Sequence, residues 1–215
     1  MHIINFEAFL IAITILTLTP GLDTALVIRN SSRAGYIDGC VTSLGICSGL
    51  FVHAIFSALG ISAILLQSAE LFQLVKWIGA TYLIWLGMSS LLAIYKSKGN
   101  KKIIAIGEES SPKFNTRRSL REGFLSNVLN PKTAIFYLAF LPQFIDLHYS
   151  PALQSLTMAG IHFFIAMIWQ CSLAFAINSA KKLFSSDKMV NWMEGVTGVV
   201  LITLGAKLLF TNNKL

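Results

Sequence analysis

The stretch NVLNPKTAIFYLAF, residues 127–140, decides how the rest of the chain is interpreted. It is apolar enough to lie in a membrane, yet Pro131 stands inside it, between Asn130 and Lys132. A proline removes one backbone hydrogen bond and clashes with the preceding turn, which costs about 3 kcal/mol in a regular helix. In a bilayer the freed carbonyl needs another partner, so such breaks occur where protein or a wet cavity covers them. The stretch therefore predicts an interrupted membrane helix.

A second stretch with the same design occurs near the start of the chain. LTLTPGLDTALVI, residues 16–28, also carries a proline inside an apolar run, Pro20, followed by Gly21 and Asp23. Two interruptions at corresponding places in two halves of a transporter indicate a substrate site between them. The alternative is that both prolines are packing kinks, since proline is frequent in membrane helices.

The composition indicates an all-α integral membrane protein. Hydrophobic residues make up 54% of the chain and charged residues 13%, against about 25% charged in soluble domains. Charges are nearly absent from windows of about 20 residues, the length of a membrane-spanning helix. We expect six spans, at residues 6–28, 41–66, 71–95, 121–144, 152–178 and 190–210. The first has no positively charged segment before it, so we expect it to be retained and not cleaved as a signal peptide.

A polar stretch at residues 96–118 separates three predicted spans from three others. An odd number of spans in each half makes the second half enter the membrane in the opposite orientation, as in the inverted repeats of secondary transporters. We therefore expect a 3+3 inverted repeat that forms a single transporter domain. Its parts are an N-terminal repeat at 1–95, a basic linker at 96–120 and a C-terminal repeat at 121–215.

The net charge of +7 follows the predicted topology and does not indicate a nucleic-acid partner. Lysine and arginine concentrate in the connections after the first, third and fifth spans, and the connections at 67–70 and 145–151 contain none. The positive-inside rule places the basic connections in the cytoplasm and both termini outside. We expect a multi-pass protein of the bacterial inner membrane, whose basic loops contact anionic lipid headgroups.

Two charged residues lie where lipid would penalise them. Asp23 is in the first predicted span and Lys132 in the fourth, and a charge at the centre of a membrane costs at least about 2.5–3.5 kcal/mol. Asp23 is the leading candidate for proton coupling, because a carboxyl group removed from water can exchange a proton with its surroundings. Alternatively, Asp23 and Lys132 form an ion pair that ties the halves together, or Asp23 reaches the cytoplasmic interface.

The residue types at the two interruptions suit an amino acid. A helix that restarts after a break presents unpaired amide groups, which attract a carboxylate. Asp23 could hold an ammonium group, so the predicted cargo is a zwitterion. The predicted substrate-binding residues are Pro20, Gly21, Asp23, Asn130, Pro131 and Lys132.

Other polar residues give weaker signals. His53 and His162 could join a proton relay, although a single histidine in a helix is more often a hydrogen-bonded packing residue. The three cysteines show no metal-ligand spacing, and no HExxH or GxSxG motif occurs. We therefore expect no metal, no cofactor and no enzymatic activity. A cation or heavy-metal exporter is the closest alternative, and a membrane-embedded enzyme is a more distant one.

At these motifs the chain resembles the LysE/RhtB family of bacterial amino-acid exporters. The resemblance rests on TPG at 19–21, RAG at 33–35, the glycine-rich second span, YLIWLG at 82–87, NPK at 130–132 and PQF at 142–144. It covers nearly the whole chain and implies proton-driven export of small amino acids or their relatives, without fixing which one. The family often has TPGP where Leu22 follows Gly21 here, so the first break is expected to be milder. Small-residue patterns such as GYIDG also allow a homodimer.

Overall fold

A computed structural model describes residues 3–19, 21–67, 69–96, 114–184 and 187–210 of the chain. These residues are helical, without a β-strand, apart from one isolated bridge between Ile3 and Ile145. The helices are α1 (Phe6–Leu18), α2 (Leu22–Ala34), α3 (Tyr36–Gln67), α4 (Ala69–Lys96), α5 (Thr116–Val128), α6 (Pro131–Ile135), α7 (Pro151–Phe184) and α8 (Asp187–Phe210). A π-helical turn, Phe136–Phe140, and a 3₁₀ turn, Leu141–Phe144, follow α6.

Two described helices are long and apolar enough to cross a membrane, through Tyr36–Gly60 of α3 and Pro151–Ile177 of α7. The pair α1 and α2 is bent by 48° and gives a third span if it is counted as one. Predicted spans 71–95 and 190–210 each lie in one helix, but their apolar stretches are shorter, Trp77–Leu92 and Gly198–Phe210. Predicted span 121–144 is divided among several short elements. All-helical membrane architecture is therefore confirmed, and the six-span count stays a prediction.

The surface of these helices supports a membrane environment. Large apolar side chains such as Phe164, Ile168 and Phe210 are more than half exposed, whereas soluble monomers rarely expose large contiguous apolar surfaces. The buried core surrounds the π-helical turn, where Phe136, Tyr137 and Phe140 pack with residues of α1, α3, α4 and α7. The turn also leaves the Tyr137 carbonyl available to the hydroxyl of Ser57, which donates to it at 2.8 Å.

Helix α3 is the central element of the described bundle. It packs against α5 and α7, while α4 packs against α8 and α2 packs against α3 and α7. Glycines permit the contact between α3 and α5, because a Cβ atom on Gly45 would lie 2.2 Å from the Leu120 carbonyl oxygen. A Cβ atom on Gly123 would in turn lie 2.1 Å from the Thr42 carbonyl oxygen. The two backbones therefore touch, which fixes α5 beside α3 and positions the second break.

Both helix breaks occur near the predicted prolines. Helix α1 ends at Leu18 and α2 begins at Leu22, while Pro20 itself lies outside the described residues. The second break lies at Leu129 and Asn130, between α5 and α6. Pro131 is the first residue of α6, where its missing amide hydrogen costs nothing. Pro131 thus begins a helix, and the break precedes it.

Candidate functional site

The two breaks lie side by side and exchange polar contacts. Asp23, in the first turn of α2, accepts a hydrogen bond from the Ser126 hydroxyl at 2.8 Å. Its second carboxylate oxygen accepts from the amide nitrogens of Asn127 at 2.9 Å and Asn130 at 3.2 Å. All three donors are neutral and come from the last turn of α5 or the second break. The carboxylate of the first half is therefore held by side chains of the second half.

Lys132 makes the reciprocal connection. Its ammonium donates to the carbonyl oxygens of Leu16 at 3.3 Å and Thr19 at 3.1 Å. The last carbonyls of a helix have no partner within the helix and carry its negative dipole end, so a cation there is favourable. A lysine ammonium has three N–H donors, and two are accounted for by these carbonyls. A Cβ atom on Gly21 would lie 3.8 Å from the Lys132 Nζ atom, so the ammonium faces the first break.

The predicted ion pair between Asp23 and Lys132 does not form in the part of the chain that the structure describes. Instead, Asp23 accepts hydrogen bonds from neutral side chains, and Lys132 donates to backbone carbonyl oxygens. Asp23 is half-buried and faces α5, and the alternative that it reaches the cytoplasmic interface stays a prediction. Both charged groups therefore keep the capacity to bind an opposite charge.

The two helix restarts differ in how their first amides are used. The amide of Lys132, at the start of α6, already donates to the Asn130 side chain at 3.0 Å. The Asn130 side chain therefore occupies the Lys132 amide, and the expectation that the restarts attract an anion stays a prediction. The first restart has Gly21 at the position before α2, with no side chain to cap it. At this restart the N-cap residue makes no side-chain cap, and Gly21 lies beside the Lys132 ammonium.

A cavity opens between the breaks and two neighbouring helices, with an open volume of about 450 Å³ that includes its mouth. Its lining residues come from α1, α2, α3, α5, α6, α7 and the two breaks. The predicted residues Gly21, Asp23, Asn130 and Lys132 line it together, whereas Pro131 is not among the lining residues and Pro20 is not described. The remaining lining residues are Leu16, Thr17, Thr19, Thr24, Ile46, Leu50, Asn127, Thr133, His162, Ala166 and Gln170.

The two histidines have different positions. His162 lines the cavity, and its Nδ1 atom lies 3.0 Å from the hydroxyl oxygen of Tyr137. His53 is buried outside the cavity, with Nε2 2.9 Å from the Asn127 carbonyl oxygen. Because a carbonyl only accepts, His53 donates from Nε2 and supports the end of α5. Its contact matches the packing interpretation of a lone histidine.

A second group of charges lies where α2 ends and α3 and α5 begin; we call it the ionic cluster. Asp38 is fully buried, pairs with Arg33 at 2.9 Å and accepts from the Ser119 hydroxyl. Glu122 pairs with Arg29 at 2.7 Å and with Arg118 at 2.8 Å. The buried Asn30 side chain also donates to Glu122 at 3.1 Å and to Thr42 at 2.8 Å.

Sequence analysis missed several residues of both groups. Asn127 carries a usable signal, since it stands three residues before Asn130, a spacing that places two amides on one helical face. Asp38 and Glu122 carry little signal, because both lie near predicted span ends where charges are ordinary. Gln170 carries none, because a single glutamine in an apolar helix is not distinguished from a packing residue.

The fold and the cavity define a helical integral membrane protein with a polar cavity between its helices. Comparison with known proteins gives the family: residues 14–212 match the model described as "LysE type translocator". The chain belongs to the LysE-type translocator family.

Similar proteins cover between about two thirds and nearly all of the chain. The "Uncharacterized membrane protein YrhP" of Bacillus subtilis (strain 168) is 34% identical over 208 residues, which are 96% of this chain and 98% of the relative. An "Uncharacterized membrane protein" of Vibrio cholerae is 34% identical over 68% of this chain and 67% of its own length. The "Homoserine/homoserine lactone efflux protein" of Salmonella typhi is 25% identical over 94% of each chain. No solved structure matches the chain significantly.

Proposed function

We propose that the protein exports amino acids or close derivatives from the cytoplasm across the bacterial inner membrane. One observation carries the proposal: Asp23 and Lys132 line the same cavity and are each held by neutral groups. An amino acid carries an ammonium group and a carboxylate, which are the opposite charges that could pair with Asp23 and Lys132. Family membership supports export, as does the relative of Salmonella typhi, whose name states efflux of homoserine and its lactone.

In the proposed binding mode the cargo carboxylate faces Lys132 and the uncapped amides at the start of α2. Both carry positive charge toward the same point, because the amides form the positive end of the α2 dipole. The cargo ammonium faces Asp23, whose two oxygens accept three hydrogen bonds from neutral donors and keep lone pairs available. Neutral donors fix the carboxylate without cancelling its charge.

Proton antiport follows if Asp23 holds either a proton or the cargo ammonium. Protonation from the outside would remove the negative charge, release the cargo outward and reset the carrier. His162 is the proposed relay residue, because it lines the same cavity. His53 has a smaller part in this scheme, since its Nε2 hydrogen is used by the Asn127 carbonyl.

Alternating access is proposed on the basis of a 3+3 inverted repeat, with residues 1–95 and 121–215 as its halves and 96–120 as the linker. Each half has an interrupted first segment followed by two long helices. The packing is also reciprocal, since α5 packs on α3 while α1 and α2 pack on α7. We propose that both termini lie outside and the ionic cluster on the cytoplasmic side, following the positive-inside rule.

The test uses purified protein in liposomes, with cargo release driven by an imposed proton gradient. Asp23→Asn should abolish gradient-driven export of amino acids, by at least about 100-fold, because the amide neither binds a proton nor attracts an ammonium. Glu7→Gln, at an exposed acid in the first turn of α1, is the matched control and should export normally. Unchanged gradient-driven export by Asp23→Asn would refute the proposal.

The same liposomes test the alternatives. Divalent metal ions replace the amino acid in a second set of measurements, because a cation exporter on this scaffold would move them. In the part of the chain that the structure describes, no three His, Cys, Asp or Glu side chains come together as a metal site. We therefore propose no metal-binding residues, and the predicted homodimer also stays a prediction.

A further inference from the structure

One face of α7 brings two polar groups into the cavity. His162, Ala166 and Gln170 are spaced by four residues, so they lie on one side of the helix, and all three line the cavity. Gln170 is only 6% exposed, and its Oε1 atom is buried with no hydrogen-bond partner among the described residues. A buried amide oxygen without a donor is unfavourable, so it indicates a group that arrives from elsewhere.

A second buried glutamine in α7 shows the difference. Gln154 is fully buried, and its Oε1 atom accepts from the Asp146 backbone amide at 2.9 Å. Its Nε2 atom donates to the Asp146 carbonyl at 2.8 Å. Gln154 therefore serves the structure, capping the turn before α7. Gln170 has the same side chain and is similarly buried, but its Oε1 atom accepts no hydrogen bond from the described residues.

The position of Gln170 relates it to the proposed cargo. Val27 of α2 and Ala174 of α7 pack in one buried cluster, and one turn earlier in each helix lie Thr24 and Gln170, which both line the cavity. Gln170 thus lies near the first turn of α2, and it lines the same cavity as Asp23 and Lys132.

The carboxylate and ammonium groups of an amino acid are bonded to the same carbon atom, so in the proposed binding mode Lys132 and Asp23 bind both. The cargo side chain then points toward the rest of the cavity lining, which includes residues of α3 and α7. The α3 contribution is apolar, Ile46 and Leu50. A polar side chain would therefore meet Gln170.

We propose that Gln170 determines specificity: its Oε1 atom accepts a hydrogen bond from a hydroxyl or amide donor on the cargo side chain. This inference rests on the proposed function and narrows its substrate class to amino acids with such a donor. A site with an unpaired acceptor discriminates strongly against an isostere that lacks the donor, because the acceptor then stays buried and unpaired.

The experiment compares isosteric cargo pairs in gradient-driven export from liposomes. Threonine and valine differ by one hydroxyl, as do serine and 2-aminobutyrate. The wild-type protein should favour the hydroxylated member of each pair by about tenfold or more. In Gln170→Met, which keeps length and removes the acceptor, the ratio should fall to near one. Gln143→Met, the same change outside the cavity, should keep the wild-type ratio.

A second variant keeps the inference testable if Gln170→Met does not fold. Gln170→Glu keeps the shape of the side chain and adds a negative charge, so it should raise the export of lysine relative to threonine about tenfold. Amino-acid export with an unchanged threonine-to-valine ratio in Gln170→Met, or an unchanged lysine-to-threonine ratio in Gln170→Glu, would overturn this inference alone. Failure of the wild-type protein to move any amino acid would overturn the proposed function as well.

Discussion

The cavity and the ionic cluster both contain buried or half-buried charges, but they hold them in opposite ways. In the ionic cluster Asp38 pairs with Arg33, and Glu122 pairs with two further arginines. In the cavity the hydrogen bonds to Asp23 come from a hydroxyl and two amides, and Lys132 donates to backbone carbonyls. Paired charges stabilise one arrangement of helices, whereas charges held by neutral groups can still bind an external ion. The comparison predicts that substitutions in the two regions will affect different measurements.

The largest effect is expected for Lys132→Met. The change removes the cation that faces the first break and leaves two carbonyls at the end of α1 without their donor. Export in liposomes should fall by at least about 100-fold, because the cargo carboxylate loses its charged partner. Lys207→Met, in α8 and outside the cavity, is the control. Equal export by Lys132→Met and Lys207→Met would remove Lys132 from the site.

Asp38→Asn should lower stability and leave export nearly unchanged, in contrast to Lys132→Met. Breaking a buried ion pair leaves the other charge unpaired, which costs on the order of 3 kcal/mol in free energy of unfolding. Thermal unfolding of the purified protein should therefore begin several degrees lower, while export per folded molecule changes little. The comparison would be wrong if Asp38→Asn kept its thermal stability, or if Asp23→Asn lost as much stability as Asp38→Asn.

A smaller effect is expected for His53→Phe, which keeps an aromatic ring and removes the donor to the Asn127 carbonyl. The free energy of unfolding should fall by about 1–3 kcal/mol, because a buried acceptor loses a partner. The pH dependence of export should stay that of the wild type, since His53 is not in the cavity. His162→Phe provides the contrast, and its export should change its pH dependence. A changed pH dependence in His53→Phe would instead make it part of the proton pathway.

The smallest effect is expected for Arg29→Gln. Arg29 pairs with Glu122, but its side chain is 53% exposed, and exposed ion pairs contribute about 0–1 kcal/mol. Both thermal stability and export should lie within error of the wild type. A loss of thermal stability as large as that of Asp38→Asn would show that the ionic cluster acts as one network, in which an exposed ion pair contributes as much as a buried one.

The two breaks were predictable from sequence because proline acts locally. It fixes the backbone and removes a donor, so an interruption in an apolar run follows from the residue itself. The placement of Asp23 and Lys132 beside the breaks follows from residue numbers alone. Their partners do not, because carbonyls at the end of α1 and side chains at the end of α5 become neighbours only when α5 packs on α3.

Other features depend on tertiary contacts and have no local signal. The π-helical turn after α6 has a carbonyl that bonds to Ser57, far away in sequence, so the apolar run from 136 to 140 predicts only a regular helix. Gln154 and Gln170 have the same residue type in one helix, yet only the packing distinguishes the structural glutamine from the unpartnered one. Hydropathy likewise gave six spans, whereas α4 and α8 carry shorter apolar stretches within their full lengths.

The central claim is that one carboxylate, Asp23, binds either a proton or the cargo ammonium. Titration calorimetry of the purified protein with an exported amino acid, repeated in buffers of different ionisation enthalpy, measures proton release on binding. We expect wild-type protein to release protons as it binds cargo, with weaker binding as pH falls, and Asp23→Asn to release none. Cargo binding to the wild type without proton release at any pH, or equal release from Asp23→Asn, would contradict the claim.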